Sequence, residues 1–505
     1  MDHLDPNAYR FDEYLAARQS DWLAADPLLR RWLDRSEHST EARQLVADFG
    51  RRAATRYERS AHLVEERQNH PYIAEADAFN RETRDVVLPA ETWRNLGEVH
   101  GSGIWRADAD ERARYAIIFL LSQNGEFGVV CSTACTDGML RALRLLGDDE
   151  RSRDVVSKLE TSTPERWIHG AQFVTEIQGG SDAATNQLRA EPADDGLFAL
   201  SGQKWFCSNL TADYWMVTAR IPGGPSNHRG VSLFCVPRRQ GGQLNGWRLQ
   251  RLKDKLGTRA LPTAEIELDG ALGWPVGARD AGLKNMVAVV LTTSRVYNTI
   301  ASAAAVRRAV REARAYADFR RAFGKNLGEH PLVAASLSKL ESQSDQLAAG
   351  ALGVVDVWLD AMAHPDDQQR KLWARILISV AKAVTAREAV PDVYEAMMVL
   401  GGNGIEEQFC ALPRLWRDAA IMETWEGPYT LLLMQALGDL AKFGVAGREE
   451  QLLRYGLGDF ARAEQVGALA DILRAPAAAA SAEAWGELAP SLFHGFAQRC
   501  LAELG

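Results

Sequence analysis

The chain is poor in cysteine and in the short patterns that announce metals, redox pairs or export. Its six cysteines (Cys131, Cys135, Cys207, Cys235, Cys410, Cys500) are scattered over 505 residues with no CxxC pair. That excludes a disulfide-stapled scaffold and predicts reduced thiols in a cytoplasmic protein. Ten histidines include no HxxxH or HxH spacing, and no zinc or EF-hand pattern is present, so no metal is expected. No GxGxxG follows a strand, which removes the Rossmann route to a dinucleotide. Basic charge is short as well: 58 Lys and Arg face 67 Asp and Glu, a net charge of −9. A general affinity for nucleic acid or anionic membrane is therefore not expected. The start "MDHLDPNAYRFDEY" lacks a basic region followed by an apolar core, and the apolar run "LAAGALGVVDVWLDAMA" is broken by Asp356 and Asp360. Neither export nor membrane insertion is predicted. No repeat of fixed period occurs.

What is present is length and a change of texture along it. A chain of 505 residues exceeds what one hydrophobic core supports, so several domains are expected. Residues 1–165 carry charged and then apolar helical patterns, with Ser39 or Thr40 as a candidate cap and a break near Asn124 to Gly128. Residues 166–278 turn to short β-branched and aromatic runs such as "GLFALSGQKWFCSN" and "GVSLFCVPR", and "AEIEL" alternates at period two. Residues 279–440 return to long helical segments that suggest a bundle. Residues 441–505 add weaker helices around an Ala-rich stretch, "RAPAAAASAEAWGELAP", read as a linker. The fold class is α+β and mostly α: a helical domain, a middle β domain, a helical bundle and extra C-terminal helices.

Four motifs point to chemistry, each with a plain structural reading beside it. "FVTEIQGGSD" places the hydroxyls of Thr175 and Ser181 around Gly179 and Gly180, whose amides can approach a phosphate or simply form a turn. "GQKWFCSN" sets Phe206 and Ser208 at a strand end, suited to core packing or to stacking on a planar cofactor. "YADFRRAFGK" carries Arg320 and Phe323 at a helix end, where cations complement the helix dipole, and Arg307, Arg311 and Arg314 behind them read as a solvated basic face. "VLGGNGIEEQFCALPRLWRDAAIMETWEG" joins a glycine cluster (Gly401, Gly402, Gly404) to Glu426, an acid beside Trp425 and Gly427.

In this order and at these separations the motifs resemble the acyl-CoA dehydrogenase superfamily, over nearly the whole chain and most specifically from Gly128 to Leu440. "TEIQGGSD", "GQKWFCS", "RLKDKLGTRALPTAEIELDGALGWPVG", "EAMMVLGGNGIEE", "LPRLWRD" and "TWEG" are most similar to its alkylation-response (AidB-type) branch, which carries an additional C-terminal helical region associated with DNA. The resemblance implies FAD as cofactor. It assigns cofactor contacts to Phe173, Thr175, Gly180, Ser181, Phe206, Ser208 and Thr430. Arg320, Phe323, Gly401 and Gly402 match residues that reach the FAD of a neighbouring subunit, which implies a homo-oligomer, dimer or tetramer. Glu426 matches the catalytic base, and Ser181, Arg295, Trp425 and Gly427 match the substrate's surroundings.

The chemistry explains why an acid is wanted. The α-proton of an acyl thioester is weakly acidic, so a carboxylate must be aimed at it while the β-hydride leaves for flavin N5. Desolvation beside Trp425 is expected to raise the pKa of that base. Three departures from the family pattern stand out. Thr292 replaces the Asp that usually accompanies Arg295, Pro428 stands where a small hydroxyl residue usually meets the cofactor, and residues 441–505 are acidic, with Lys442, Arg448, Arg454, Arg462, Arg474 and Arg499 outnumbered by Asp and Glu. DNA binding is therefore not expected. The function predicted is α,β-desaturation of an acyl thioester on CoA or a carrier protein, with an electron-transfer flavoprotein or oxygen as acceptor. The alternatives are a stress flavoprotein that acts by binding, possibly DNA, and a flavin monooxygenase on the same fold.

Overall fold

The alternation in "AEIEL" does put one face inward: Ala264, Ile266 and Leu268 are buried in the core of a seven-stranded sheet. The opposite face is a charge ladder. Glu265 and Glu267 meet Arg251 and Arg248 of the antiparallel neighbour Trp247–Leu252 at 2.6 and 2.9 Å, the cross-strand pairing that stabilises such a face. The computed structural model describes residues 10–505, so most of the start read for export features lies outside the described residues.

The chain divides into two compact units, Met1–Arg59, Glu111–Gly125 and Asn298–Gly505 in one, Ser60–Asp110 and Glu126–Tyr297 in the other. The β unit is not strands alone. Its sheet runs Trp247–Leu252, Thr263–Pro275, Phe198–Ser208, Arg189–Pro192, Tyr214–Arg220, Gly170–Phe173, with Val231–Pro237 paired to Thr263–Pro275 and Tyr214–Arg220. Helices Ala90–His100, Val130–Leu146 and Glu150–Glu160 belong to the same unit. Rings of Phe173, Trp215 and Trp247 pack at centroid distances of 4.9 and 5.1 Å in its core.

Within the N-terminal region read as helical, an antiparallel hairpin joins Tyr72–Ala76 to Glu82–Val87. Its turn has no glycine to signal it. Asp77 accepts from the amides of Phe79 and Arg81 at 2.9 and 3.0 Å, and Asn80 takes the left-handed conformation, φ 60°. Asp and Asn do locally what glycine does in a commoner turn.

The helical unit contains Thr40–Arg52, capped by Ser39, whose hydroxyl accepts from the amide of Ala42 at 3.0 Å. It also contains most of Thr292–Phe319, and Pro331–Ala363, Gln368–Val399, Leu412–Met422 and Tyr429–Lys442. The Ala-rich stretch is not a linker: it forms the first turns of Ala479–Leu504. That helix docks on Pro331–Ala363 where two glycines leave room. A Cβ on Gly350 would lie 2.9 Å from Ala497 Cβ, and one on Gly353 2.3 Å from Cys500 Sγ. Pro331–Ala363 is long and apolar enough to cross a membrane, but the apolar window is 61% buried inside this fold. Asp356, one of the acids interrupting it, bonds Arg112 at 2.5 Å and the Trp32 indole at 3.1 Å.

The arginines read as a solvated face are instead spent on acids distant in sequence. Arg307 holds Asp26 at 2.8 Å and also Asp345, and Arg314 holds Glu341 at 2.7 Å. Arg311 donates to Gln123 at 2.8 Å. Between them Arg308, fully buried, bonds both oxygens of Glu58 at 2.9 and 2.8 Å and Glu312 at 2.9 Å. Arg18 joins Glu58 at 2.8 Å, and the Tyr14 hydroxyl donates to Glu312 at 2.9 Å. Burial alone would raise Glu312, but Arg18 and Arg308 outweigh it and hold the carboxyl below its usual range. Arg308→Met leaves Glu58 and Glu312 with too little compensating charge. Its expected cost is about 3–5 kcal/mol, read as a lower urea midpoint for the helical unit.

Candidate functional site

In the β unit the polar loop after Gly170–Phe173 is shaped by groups inside it. The Lys204 ammonium is fully buried and donates to Glu176 Oε1 at 2.9 Å, Val174 O at 3.1 Å and Thr218 Oγ1 at 3.3 Å. Glu176 in turn accepts the amides of Gln187 and Leu188 at 2.6 and 3.1 Å. Asn186 Nδ2 donates to Val174 O at 2.7 Å, and Arg220 Nε to Asn186 O at 2.6 Å. The loop is thus closed at its base, and its glycine tip is pushed outward. There a Cβ on Gly180 would come 2.4 Å from Thr175 Oγ1, so glycine is what lets the hydroxyl and the loop backbone share that place. Gly179, at φ 132°, and Ser181 are exposed.

The adjoining strand is tied to this loop by the Trp205 amide, which donates to Thr175 O at 3.0 Å. Alternation along Phe198–Ser208 turns Cys207 inward, where burial pushes its thiol up, and leaves the Phe206 ring 51% exposed. The Lys253 ammonium stands 4.4 Å from the Phe206 ring centroid and 4.0 Å from that of Trp205. Ser208 Oγ lies 3.0 Å from Thr263 Oγ1. One assignment needs correction: the Phe173 side chain is fully buried against Trp215, so only its backbone can face a ligand.

In the helical unit Glu426 occupies the turn between Leu412–Met422 and Tyr429–Lys442, in the left-handed region at φ 51°. A non-glycine residue there carries strain that surrounding contacts must hold. Two buried side chains do so. Lys382 Nζ donates to Glu423 O at 3.1 Å and Gly427 O at 2.8 Å. Asn298 Nδ2 donates to Met422 O at 3.0 Å and Glu426 Oε2 at 3.3 Å. Trp425, Glu426 and Gly427 are half-buried, while Pro428 and Thr430 are exposed. The carboxyl is therefore reachable, and its backbone is clamped.

At the far end of Thr292–Phe319 the Arg320 amide donates to Tyr316 O at 2.8 Å, and the Tyr316 hydroxyl accepts from Asn403 Nδ2 at 2.9 Å. The glycine turn Gly401–Ile405 is thereby joined to the segment of Arg320 and Phe323. Gly401 and Gly402 are exposed with open space around them, and Phe323 is 97% exposed. Arg295 differs from its expected role as an open contact for substrate. It is buried, 6% exposed, and the nearby Thr292 hydroxyl is spent on Val287 O at 2.8 Å. Sequence reasoning misses Glu176, Lys204, Asn298 and Lys382, whose partners are remote or are backbone atoms. The one available signal is a charged or amide residue inside an otherwise apolar run.

Lowering pH should loosen the glycine loop. Burial opposes ionisation of Glu176, but Lys204 and the Gln187 amide outweigh it and set the carboxyl below its usual range. Its contribution is therefore complete above the unfolded value of about 4.3 and is lost as pH falls through the depressed folded one. Glu176→Gln should expose the amides of Gln187 and Leu188 to hydrogen exchange at neutral pH and flatten the acid dependence seen in the parent.

Comparison with known proteins adds lineage to this geometry. Residues 280–437 match the acyl-CoA dehydrogenase C-terminal domain, and residues 171–271 match the acyl-CoA dehydrogenase middle domain. The chain is similar to acyl-CoA dehydrogenase family member 11 of Caenorhabditis elegans, 32% identical over 461 residues, 85% of this chain and 72% of the relative. It is similar to AidB of Escherichia coli strain K12, 37% identical over 392 residues, 74% of this chain and 70% of the relative. Among solved structures, Caenorhabditis elegans ACDH-11 in complex with C11-CoA superposes with a TM-score of 0.83 at 27% identity, covering 94% of this chain and 86% of that one.

Proposed function

This chain belongs to the acyl-CoA dehydrogenase family, and on that premise we propose that it desaturates an acyl thioester between Cα and Cβ with Glu426 as the base. The observation that carries this reading is the Glu426 turn. A half-buried carboxylate is held in a left-handed conformation by Lys382 and Asn298, an arrangement worth its strain when the carboxylate must be aimed.

In this reading Glu426 takes the α-proton onto a carboxylate oxygen, and Trp425 and Gly427 shape the space around the thioester. FAD is the cofactor of the family, and when bound it supplies the acceptor for the β-hydride that leaves as the double bond forms. The residues fit such a group. The exposed amides around Gly180 and Ser181 suit a pyrophosphate, the half-exposed Phe206 ring suits stacking, and Thr175 and Ser208 offer hydroxyls to a flavin edge. Thr430 replaces the hydroxyl that Pro428 lacks. Phe323, nearly bare, with Arg320, Gly401 and Gly402, would meet the cofactor of a second copy in a homodimer or homotetramer. The thioester carrier is CoA, as for the relative crystallised with C11-CoA, or an acyl carrier protein, and an electron-transfer flavoprotein or oxygen takes the electrons onward.

Anaerobic mixing of the flavin-loaded protein with a panel of acyl-CoAs of graded chain length tests this. Bleaching of the flavin by at least one of them is expected, slowed about 10²- to 10⁴-fold by Glu426→Gln. No bleaching by any thioester, or equal rates for parent and variant, would sink the proposal.

A further inference from the structure

Asn298 lies on Thr292–Phe319, buried, and its amide orientation is determined by its neighbours. Met422 O can only accept, so the atom 3.0 Å from it is Nδ2. The amide oxygen on the other side accepts from the Ser302 hydroxyl at 3.3 Å, one helical turn further on. With both anchors made, the second N–H of Nδ2 is left facing Glu426 Oε2 at 3.3 Å. Ser302 also contacts Met422 Sδ at 3.6 Å, so the hydroxyl is confined to the same small space.

The geometry points to Asn298 as a positioning residue, oriented by Ser302, that aims the Glu426 carboxylate and keeps it in its proton-accepting form. This rests on the reading of Glu426 as the base. A neutral donor bonded to a carboxylate stabilises the charged form over the protonated one, and the direction is the reverse of what an acceptor in the same place would do. It also restricts rotation of the carboxyl group, so the base keeps one bearing. Lys382 acts differently, since it holds the turn's backbone carbonyls, whereas Asn298 reaches the reacting group itself. A residue that merely pinned Met422 O would leave the titration of Glu426 unaltered.

The test is the titration of Glu426 in the full-length flavoprotein labelled with carbon-13 at glutamate carboxyls, its resonance identified by disappearance in Glu426→Gln. Asn298→Leu keeps the volume and removes the donor. Its midpoint should rise by roughly half to one pH unit, with the acid limb of acyl-CoA-driven bleaching moving in step. Ser302→Ala, which frees the amide to turn, should move the midpoint the same way by less. If Asn298→Leu fails to fold, Ser302→Ala decides. An unchanged midpoint in every folded variant overturns the assignment. The carboxyl titration needs no substrate, so a raised midpoint without bleaching by any thioester would uphold the positioning role while removing the desaturation reading. Bleaching with unmoved midpoints would do the opposite.

Discussion

The buried charge cluster formed by Glu58, Arg18, Arg308 and Glu312 is the constraint on which the helical unit depends. Its members come from the N-terminal helices and from Thr292–Phe319, and each carboxylate oxygen meets a cation or the Tyr14 hydroxyl. Desolvating such a set is costly, and only complete pairing offsets the cost. Completeness leaves little freedom to slide. The helix is held in depth and rotation at its middle, and its two ends inherit that definition.

Those ends are where function is read. Asn298 near one end reaches the Glu426 turn, and Tyr316 near the other receives Asn403 from the glycine turn. A buried ion cluster with no part in the chemistry thus sets the positions of a proton acceptor and of a segment proposed to meet a second copy's cofactor. In the β unit Lys204 and Glu176 act similarly at smaller scale, shaping the exposed glycine tip from beneath it.

How much of this is legible in the sequence depends on whether a feature is local. The helical texture, the β region and the break near Gly125 follow from periodicity and punctuation within a few residues. The hairpin at Tyr72 to Val87 escapes such a reading because Asp77 and Asn80 build the turn without glycine. The Ala-rich stretch misleads because alanine, the strongest helix former, resembles linker composition until Gly350 and Gly353 supply a surface to pack on. Arg307 and Arg314 look solvated because Asp26, Asp345 and Glu341 lie far along the chain. Phe173 is a cofactor contact by resemblance, although period-two alternation with buried Ala171 places it inside. Glu426 stands out through its neighbours in sequence, and Asn298 does not, because its role exists only through atoms more than a hundred residues away.

The span from Asn298 to Tyr316 along one helix also makes that helix a length standard. At 1.5 Å per residue it separates the two tethers by about 27 Å, and each residue added or removed turns one end against the other by about 100°. Point substitutions on its outer surface leave this gauge intact, whereas a single-residue deletion between the tethers misaligns at least one of them. Over evolutionary time the segment is free to drift in composition and closed to change in length.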